Sequence, residues 1–310
     1  MTSSALAQLC LLSILPALAL CQCLGSSNVT VTGTLTCAGM PIRRTTLKLV
    51  QELGFVPNKL AEGSTDGQGR FYLTAVPFEF FRRNKPNWQL TLYVGFNYRY
   101  NNNKKAFSSG PSYVHLLDFH TGYHDIGEIA INLYACNTYM RFFNAVQDFN
   151  KRTGRQVRAL RHINSRLPQG SVPFTEWRWV RLPKKYLITN RIAKHELAHA
   201  VRNKYDGDLD HFRQDAQLYG GVETHNCSTK SSVHFAFNEG WAFYWAGECR
   251  QHEFTKQKDV AGDVAKMLRT LQKRCNTSDN DMVVVLEKHP GSIHSFDEFR
   301  SAHNNLFACV

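Results

Sequence analysis

The sequence predicts an α+β multidomain protein in which an all-β sandwich precedes an α-rich domain. Short segments with alternating apolar residues fill the chain up to residue 136, and beyond that point the apolar spacing becomes helical. With 310 residues, 43% of them hydrophobic and 12% aromatic, the chain can form at least one full core and favours two domains. We therefore expect domains at residues 24–136 and 137–310.

Residues 1–23 are expected to form a secretory signal peptide. They carry no charged side chain, run apolar over residues 9–20 and contain the small-residue pattern ALA at residues 17–19. A lipid anchor at Cys21 is the alternative, because LALC loosely resembles a lipobox. No later segment reaches the ~20 apolar residues of a transmembrane helix. We expect a secreted, extracellular protein that does not span a membrane.

Cysteine and asparagine patterns agree with export. Six cysteines follow Cys23, an even number without a CxxC pair, and they fit a disulfide set better than a thiolate metal site: Cys37, Cys136, Cys227, Cys249, Cys275 and Cys309. Three N-x-S/T sequons provide candidate glycosylation sites: Asn28, Asn226 and Asn276.

The chain is basic, with a net charge of +12 from 37 Lys and Arg against 25 Asp and Glu. Much of this charge lies in short runs at residues 82–83, 104–105, 152–166 and 178–185. A solvated basic face is the simplest interpretation, and an anionic polysaccharide or matrix partner is the functional one. A nucleic-acid partner is not expected for an exported chain.

Four segments justify the predicted sandwich. Residues 29–37, 45–51, 71–76 and 90–96 read as short strands, with Gly, Asn and Pro clustered between them and no helical stretch. The turn at residues 65–69 lets Asp66 bond its own backbone and delivers Phe71 to the core.

Three pieces of this part resemble the transthyretin-like family of secreted metazoan β-sandwiches, over about residues 29–136. The pieces are VTGTLTCAGMPIRRTTLKLVQ, STDGQGRFYLT and YHDIGEIAINL, in the order of the family. The resemblance implies a binding or carrier module, and no catalytic grouping is visible here. Cys37 and Cys136 would then tie the first strand to the last, which leaves the other four cysteines to pair within the second domain.

The second domain is expected to open with a helix. Asn137 can cap this helix, whose buried face would carry Met140, Phe143, Val146 and Phe149. Most of the remaining segments are helical. The strand-like WRWVRLP at residues 177–183 can be the edge that binds an extended peptide.

The segment IAKHELAHAVRNK at residues 192–204 carries a candidate metal site. On a helix, His195 and His199 share one face with Cβ atoms roughly 6 Å apart, so both can hold one Zn²⁺. Glu196 would point toward the water that the metal carries. A core helix with two buried, hydrogen-bonded histidines is the alternative.

A third ligand is expected from VHFAFNEGWAFYWAG at residues 233–247. This segment is apolar on every side, which indicates a buried helix, and Glu239 is its one acid. Because a lone buried carboxylate is very costly, Glu239 needs a cation. Zinc held by His195 and His199 would complete a catalytic two-His, one-Glu set, and a salt bridge to Arg202 is the alternative.

Together, HELAHAV and NEGWA resemble the gluzincin metallopeptidases over about residues 185–247, and NEGWA is similar to the NEGFA of the aminopeptidase branch. The resemblance implies that His195, His199 and Glu239 bind zinc and that Glu196 is the catalytic base. Three features depart from the family: Glu239 lies 40 residues after His199, the GxMEN motif is absent, and Phe243 replaces the Asp that supports a ligand in thermolysin-type members.

The expected function is zinc-dependent hydrolysis of peptide bonds in a peptide or protein substrate, with Glu196 as general base. A non-catalytic secreted binding or matrix protein with a structural or degenerate zinc site is the alternative, although such a protein does not need Glu196. Four residues are candidates for the donor that stabilises the oxyanion: Tyr205, Tyr219, His225 and His234. If Glu239 is not a ligand, Glu223 and His225 are the next candidates.

Overall fold

A computed structural model of the chain describes residues 28–53, 56–77, 90–100, 104–110, 112–118, 122–156, 158–206, 215 and 225–309. The expected signal peptide at residues 1–23 and the alternative anchor at Cys21 lie outside these residues. Tyr219 and Glu223, which the sequence leaves as candidates for the site, also lie outside them.

The first strand, β1, forms the centre of a four-stranded sheet. It pairs antiparallel with β2 and β5 and parallel with β9. Alternation along β5 places Phe71, Leu73 and Ala75 in the core, as the turn before it predicts. The strands of this sheet are β1 (Val29–Cys37), β2 (Met40–Pro41), β5 (Arg70–Ala75) and β9 (Gly122–Ala130).

A second sheet of eight strands combines strands from before residue 136 with strands from the later part of the chain. Its order is β11-β12-β10-β7-β6-β3-β4, with β8 paired to β6. The join is the parallel pairing of β10 with β7, where His162 lies opposite Ser108. The expected boundary at residue 136 is therefore crossed by one sheet. Its strands are β3 (Thr45–Leu53), β4 (Val56–Ser64), β6 (Leu90–Tyr100), β7 (Lys104–Ser109), β8 (Tyr113–Leu117), β10 (His162–Leu167), β11 (Phe174–Glu176) and β12 (Trp179–Pro183).

The strand predicted around residues 177–183 exists as β12, but the expectation that it forms an edge is wrong. It pairs with β10 on one side and with β11 on the other. The edge next to the helices is therefore β11, a strand too short for the sequence pattern to indicate.

The first helix, α1 (Tyr134–Thr153), begins earlier than predicted. The backbone N–H groups of Cys136 and Asn137 both donate to the Leu133 carbonyl, so Leu133 is the N-cap and the predicted cap at Asn137 is wrong. The predicted apolar face, Met140, Phe143, Val146 and Phe149, is buried as expected. Residue 136 therefore lies inside the first turn of a helix.

In the described part of the chain five further helices follow α1, and one core joins them to the sheets. Helix α3 is buried over residues 235–245 and packs between α2 and α4. A single cluster of buried apolar side chains runs from Val29 in β1 to Ala302 in α6. This arrangement confirms a mixture of α and β structure and is compatible with the α+β class. The helices are α2 (Asn190–Asp206), α3 (Val233–Ala246), α4 (Ala261–Arg274), α5 (Asp279–Lys288) and α6 (Phe296–Phe307).

The six cysteines form three disulfides, so the expected disulfide set is confirmed. Cys37 pairs with Cys136, which ties β1 to the first turn of α1 and not to a last strand. The other two disulfides, Cys227–Cys249 and Cys275–Cys309, lie within the helical part. The asparagines of the three sequons are exposed. Within the described part of the chain, none of the helices combines the length and apolarity needed to cross a membrane.

Gly240 determines how closely α3 and α4 approach, and this closeness can be tested. A Cβ atom at this position would lie 2.6 Å from Val264 Cβ and 3.0 Å from the Ala261 carbonyl oxygen. Overpacking typically costs about 1–3 kcal/mol, more than the ~1 kcal/mol that alanine gains in helix propensity. We expect Gly240→Ala to lower the free energy of unfolding, measured by urea denaturation.

Gly67→Ala is the matched control, because a Cβ there would meet nothing within 4 Å. We expect this variant to stay within about 0.5 kcal/mol of the native stability. A Gly240→Ala variant as stable as the native protein would contradict the close approach of the two helices.

Candidate metal centre

Two crossing helices supply most of the site. The i, i+4 spacing places His195 and His199 on the buried face of α2, and α3 presents Glu239 to them. A hydrogen bond of 3.1 Å from Trp241 Nε1 to the Ala198 carbonyl fixes one helix against the other. The structure thus brings together the three residues that the sequence predicts as ligands.

The separations of their ligand atoms suit a small cation. His195 Nε2 lies 3.1 Å from His199 Nε2 and 3.2 Å from Glu239 Oε2, and His199 Nε2 lies 3.4 Å from Glu239 Oε1. Two ligand atoms about 2.0–2.1 Å from a tetrahedral zinc ion are separated by roughly 3.3 Å. The group can therefore hold a metal ion without rearrangement of its donors.

A third imidazole, His225, completes the centre. Its Nε2 lies 2.6 Å from Glu239 Oε2, and the ligand atoms of His195, His225 and Glu239 all lie within 4.8 Å of one another. The sequence leaves His225 as one of several alternatives. The Cys227–Cys249 disulfide offers a signal for it, because this bond ties the chain just after His225 to the end of the helix that carries Glu239.

Charge at the centre is balanced between the carboxylate and the imidazoles. Burial favours the protonated acid, but the charge of His199 and the close approach of the His195 and His225 imidazoles hold the pKa of Glu239 well below its ordinary value. Burial also disfavours the imidazolium of His195, yet Glu239 outweighs this effect and raises the pKa of His195 to about 9. For His225 the same balance of burial against Glu239 raises the pKa.

Glu239 Oε2 shows that hydrogen bonds alone do not satisfy this carboxylate. The atom is buried and accepts no well-aligned hydrogen bond from the residues that the structure describes, although the Nε2 atoms of His225 and His195 lie 2.6 and 3.2 Å away. Donors that converge on a carboxylate without alignment are arranged around a point between them. A cation at that point would satisfy all the donors.

Asn238 orients His199. Its Oδ1 accepts from His199 Nδ1 at 3.2 Å and from Arg202 Nη1 at 2.7 Å. Because a guanidinium has only donors, the amide atom that faces Arg202 must be the oxygen. His199 Nδ1 therefore carries a proton, which leaves Nε2 as the nitrogen available to a metal.

Arg202 does not neutralise Glu239. It is fully buried, pairs with Asp215 and donates to the Ile293 carbonyl at 3.2 Å. The sequence alternative, a salt bridge from Arg202 to Glu239, is therefore wrong. Asp215 is itself buried and supplies the negative charge that the guanidinium of Arg202 needs.

The candidates for the donor that stabilises the oxyanion differ in whether they line the cavity at the centre. His234 lies 3.8 Å from Asp215 and Tyr205 contacts Lys204, so neither lines the cavity at the centre. His225 lines it, and so does Tyr186, which the sequence analysis missed. Burial and the charge of Glu196 raise the pKa of Tyr186, so its hydroxyl remains a donor at neutral pH.

Phe243 and Glu248 lie next to His195. The ring of Phe243 packs on His195 with centroids 5.1 Å apart. The carboxylate on the outer side of His195 comes from Glu248, whose Oε1 lies 3.9 Å from Nδ1. This separation is too long for a direct hydrogen bond.

The centre opens into a cavity of about 620 Å³ bordered by β11. Glu196 lines this cavity but is not one of the grouped ligand atoms. The hydroxyl of Thr175, on β11, lies 2.6 Å from Glu196 Oε2 and 3.0 Å from the Glu196 carbonyl oxygen. The carboxylate is thus fixed beside the metal-binding group and tied to the edge of the sheet.

Comparison with known proteins adds no family assignment. No family model matches the chain, and no curated protein matches it. Among solved structures, the 9R-lipoxygenase from Cyanothece PCC8801 aligns over 69% of this chain with 13% identity and a TM-score of 0.25. The chain spans about a quarter of that structure, 26% of its length. A similarity this low carries no information about fold or activity.

The role of Asn238 can be tested through metal affinity. Asn238→Leu removes the oxygen that orients His199, so we expect the affinity for a divalent metal to fall by about 10–100-fold. Competition with a chromophoric chelator measures this change. Asn238→Asp keeps an oxygen acceptor for both donors and should lose less. Native affinity in the Leu variant would contradict the role of Asn238.

Proposed function

We propose that the protein is a secreted zinc-dependent peptidase. The observation that supports this proposal is the position of Glu196, which lines the cavity beside the buried group of His195, His225 and Glu239 without belonging to that group. A structural metal site needs ligands only, whereas hydrolysis also needs a base next to the metal. The three disulfides and the absence of a membrane-crossing helix among the described residues are compatible with secretion.

Zinc is the metal that the donor set favours. Two or three imidazole nitrogens and one carboxylate are typical zinc ligands, and hard cations such as Mg²⁺ prefer oxygen alone. His195, His199 and Glu239 would hold the ion. Zinc bound there would lower the pKa of a water molecule and polarise the scissile carbonyl.

The chain's own residues would then transfer the protons. Glu196 is fixed by Thr175 and would accept a proton from the attacking water and return it to the leaving amine. Tyr186, whose hydroxyl stays protonated, is placed in the same cavity to donate to the developing oxyanion.

The edge strand β11 would align the substrate. Its inner neighbour is β12, so its outer edge borders the cavity, where an extended peptide can add as a further strand. Because Thr175 on this strand bonds Glu196, the bound peptide would lie within reach of the base. This assignment transfers the peptide-binding role from β12 to β11.

Glu196→Gln separates catalysis from metal binding. The variant loses the base but no ligand, so we expect it to keep about one zinc ion per chain and to lower turnover by about 100–10,000-fold. Metal analysis and cleavage of a peptide library measure the two quantities. Glu287→Gln is the matched control and should keep native turnover, because Glu287 pairs with Arg155 and does not line the cavity. Undiminished turnover in Glu196→Gln would mean that this carboxylate is not the base.

Glu239→Gln tests the third ligand. A neutral amide replaces the anionic oxygen, so we expect zinc affinity to fall by at least about 10–100-fold, the range typical of changes to outer partners alone. Glu248→Gln makes the same chemical change 3.9 Å from His195 Nδ1 without removing a proposed ligand, and it should lower zinc affinity less than Glu239→Gln does. Zinc titrations of both variants give the comparison, and equal affinities would remove Glu239 from the ligand set.

A further inference from the structure

His225 lies on the solvent side of the centre, where a catalytic zinc site is expected to be open. Its side chain is 19% exposed, against 10% for His195 and 5% for Glu239. It also comes from a different element, since the other predicted ligands lie on α2 and α3. The imidazole therefore occupies the approach to the metal-binding group from the cavity.

We propose that His225 is a fourth protein ligand, so that the resting centre has three imidazoles and one carboxylate. The proposal rests on the proposed function, because both require a metal ion held by His195, His199 and Glu239. It adds that this centre is closed at rest, and that a substrate carbonyl reaches the metal only after His225 has left.

The position of the His225 nitrogen supports direct coordination. Nε2 is the atom that faces the centre, 2.6 Å from Glu239 Oε2, and it lies within 4.8 Å of the ligand atom of His195. Glu239 Oε2 accepts no well-aligned hydrogen bond from it. Because His225 Nε2 is close to the Glu239 carboxylate but misaligned for a hydrogen bond, the two groups are better placed to bind the same cation.

The surroundings of His225 hold the ring in this position. Phe235 packs edge-on against it with centroids 5.6 Å apart, and Phe243 lies 6.2 Å away on α3. Both aromatic side chains come from the helix that carries Glu239. The ring is therefore positioned by the same element as the carboxylate.

The backbone after His225 is also anchored. Asn226 closes a turn in which its Oδ1 accepts from the Ser228 N–H at 2.9 Å and its N–H donates to Thr229 Oγ1 at 2.9 Å. Cys227 in this turn is bonded to Cys249, just beyond α3. A side chain that starts from such a fixed point loses little freedom when it binds a metal, which favours its use as a ligand.

The chemical consequence follows from the number of ligands. Zinc with four protein ligands has the closed shell of a structural site, whereas a catalytic site keeps one position for water or substrate. Glu196 and the cavity are useful only in the open state. His225 would therefore control access to the metal.

The test compares His225→Ala with the native protein after cobalt(II) substitution. We expect the variant to lose at least about 10-fold in zinc affinity and to show a changed visible spectrum of bound cobalt. Acetohydroxamate, a small bidentate metal ligand, should change the native spectrum little and that of the variant strongly. His115→Ala is the control, because His115 lies on β8 in the sandwich and stacks on Tyr113.

Each outcome decides the proposal. Unchanged zinc affinity and an unchanged cobalt spectrum in His225→Ala would overturn it and leave His225 as a hydrogen-bond donor. A native protein that binds no metal would overturn both this inference and the proposed function. Native metal binding and peptide cleavage, with no effect of His225→Ala on the cobalt spectrum, would overturn this inference alone.

His225→Gln distinguishes the loss of a metal ligand from a folding defect. Glutamine keeps a polar side chain of similar reach but is a poor zinc ligand, so we expect the same loss of affinity and the same spectral change. Thermal unfolding in the presence of a chelator measures the metal-free stability of both variants. Reduced zinc affinity in a variant whose metal-free stability is native supports coordination by His225.

Discussion

A carboxylate buried among three imidazoles is the interaction on which the rest of this site depends. Glu239 lies in the middle of a helix that is apolar on all sides, and moving its charge out of water costs several kcal/mol. Only groups that approach within hydrogen-bond distance can compensate for that cost. His195 and His199 do so from one face of α2, and His225 does so from the loop before α3.

Four consecutive residues of α3 make this compensation possible by reaching four different neighbours. Successive positions on a helix point about 100° apart. Asn238 therefore faces His199, Glu239 faces the centre, Gly240 lies against α4, and Trp241 donates to a carbonyl of α2. Helix α3 is surrounded by other elements, and each residue of the motif NEGW is restricted by a different contact.

The sequence predicts those parts of the site that depend only on the periodicity of a single helix. The i, i+4 histidines and the single acid of an apolar helix need only helical periodicity to be interpreted, and the structure brings His195, His199 and Glu239 together. The predicted start of α1 is wrong because the helix begins where the Leu133 carbonyl accepts the first hydrogen bonds. In the sequence, a polar residue such as Asn137 is indistinguishable from a helix cap. Local rules cannot distinguish these two starts.

Non-local pairing limited the rest of the prediction. The strand β12 was predicted correctly, but whether it forms an edge depends on β10 and β11, which pair with it through tertiary structure. The pairing of β10 with β7 across residue 136 cannot be predicted from local patterns for the same reason. The sequence alone does not distinguish His225 from the other candidate site residues. Its position depends on the disulfide of Cys227, whose partner Cys249 follows α3.

The buried Arg202 affects the metal-binding group indirectly, through Asn238 and His199. A guanidinium without exposed area is stable only when paired, and Asp215 supplies its countercharge. Because the guanidinium can only donate, it determines which atom of Asn238 faces inward, and that atom determines which nitrogen of His199 is protonated. The orientation of a metal-binding nitrogen thus depends on an ion pair two contacts away. This dependence explains why an otherwise apolar helix carries a second polar side chain immediately before its carboxylate.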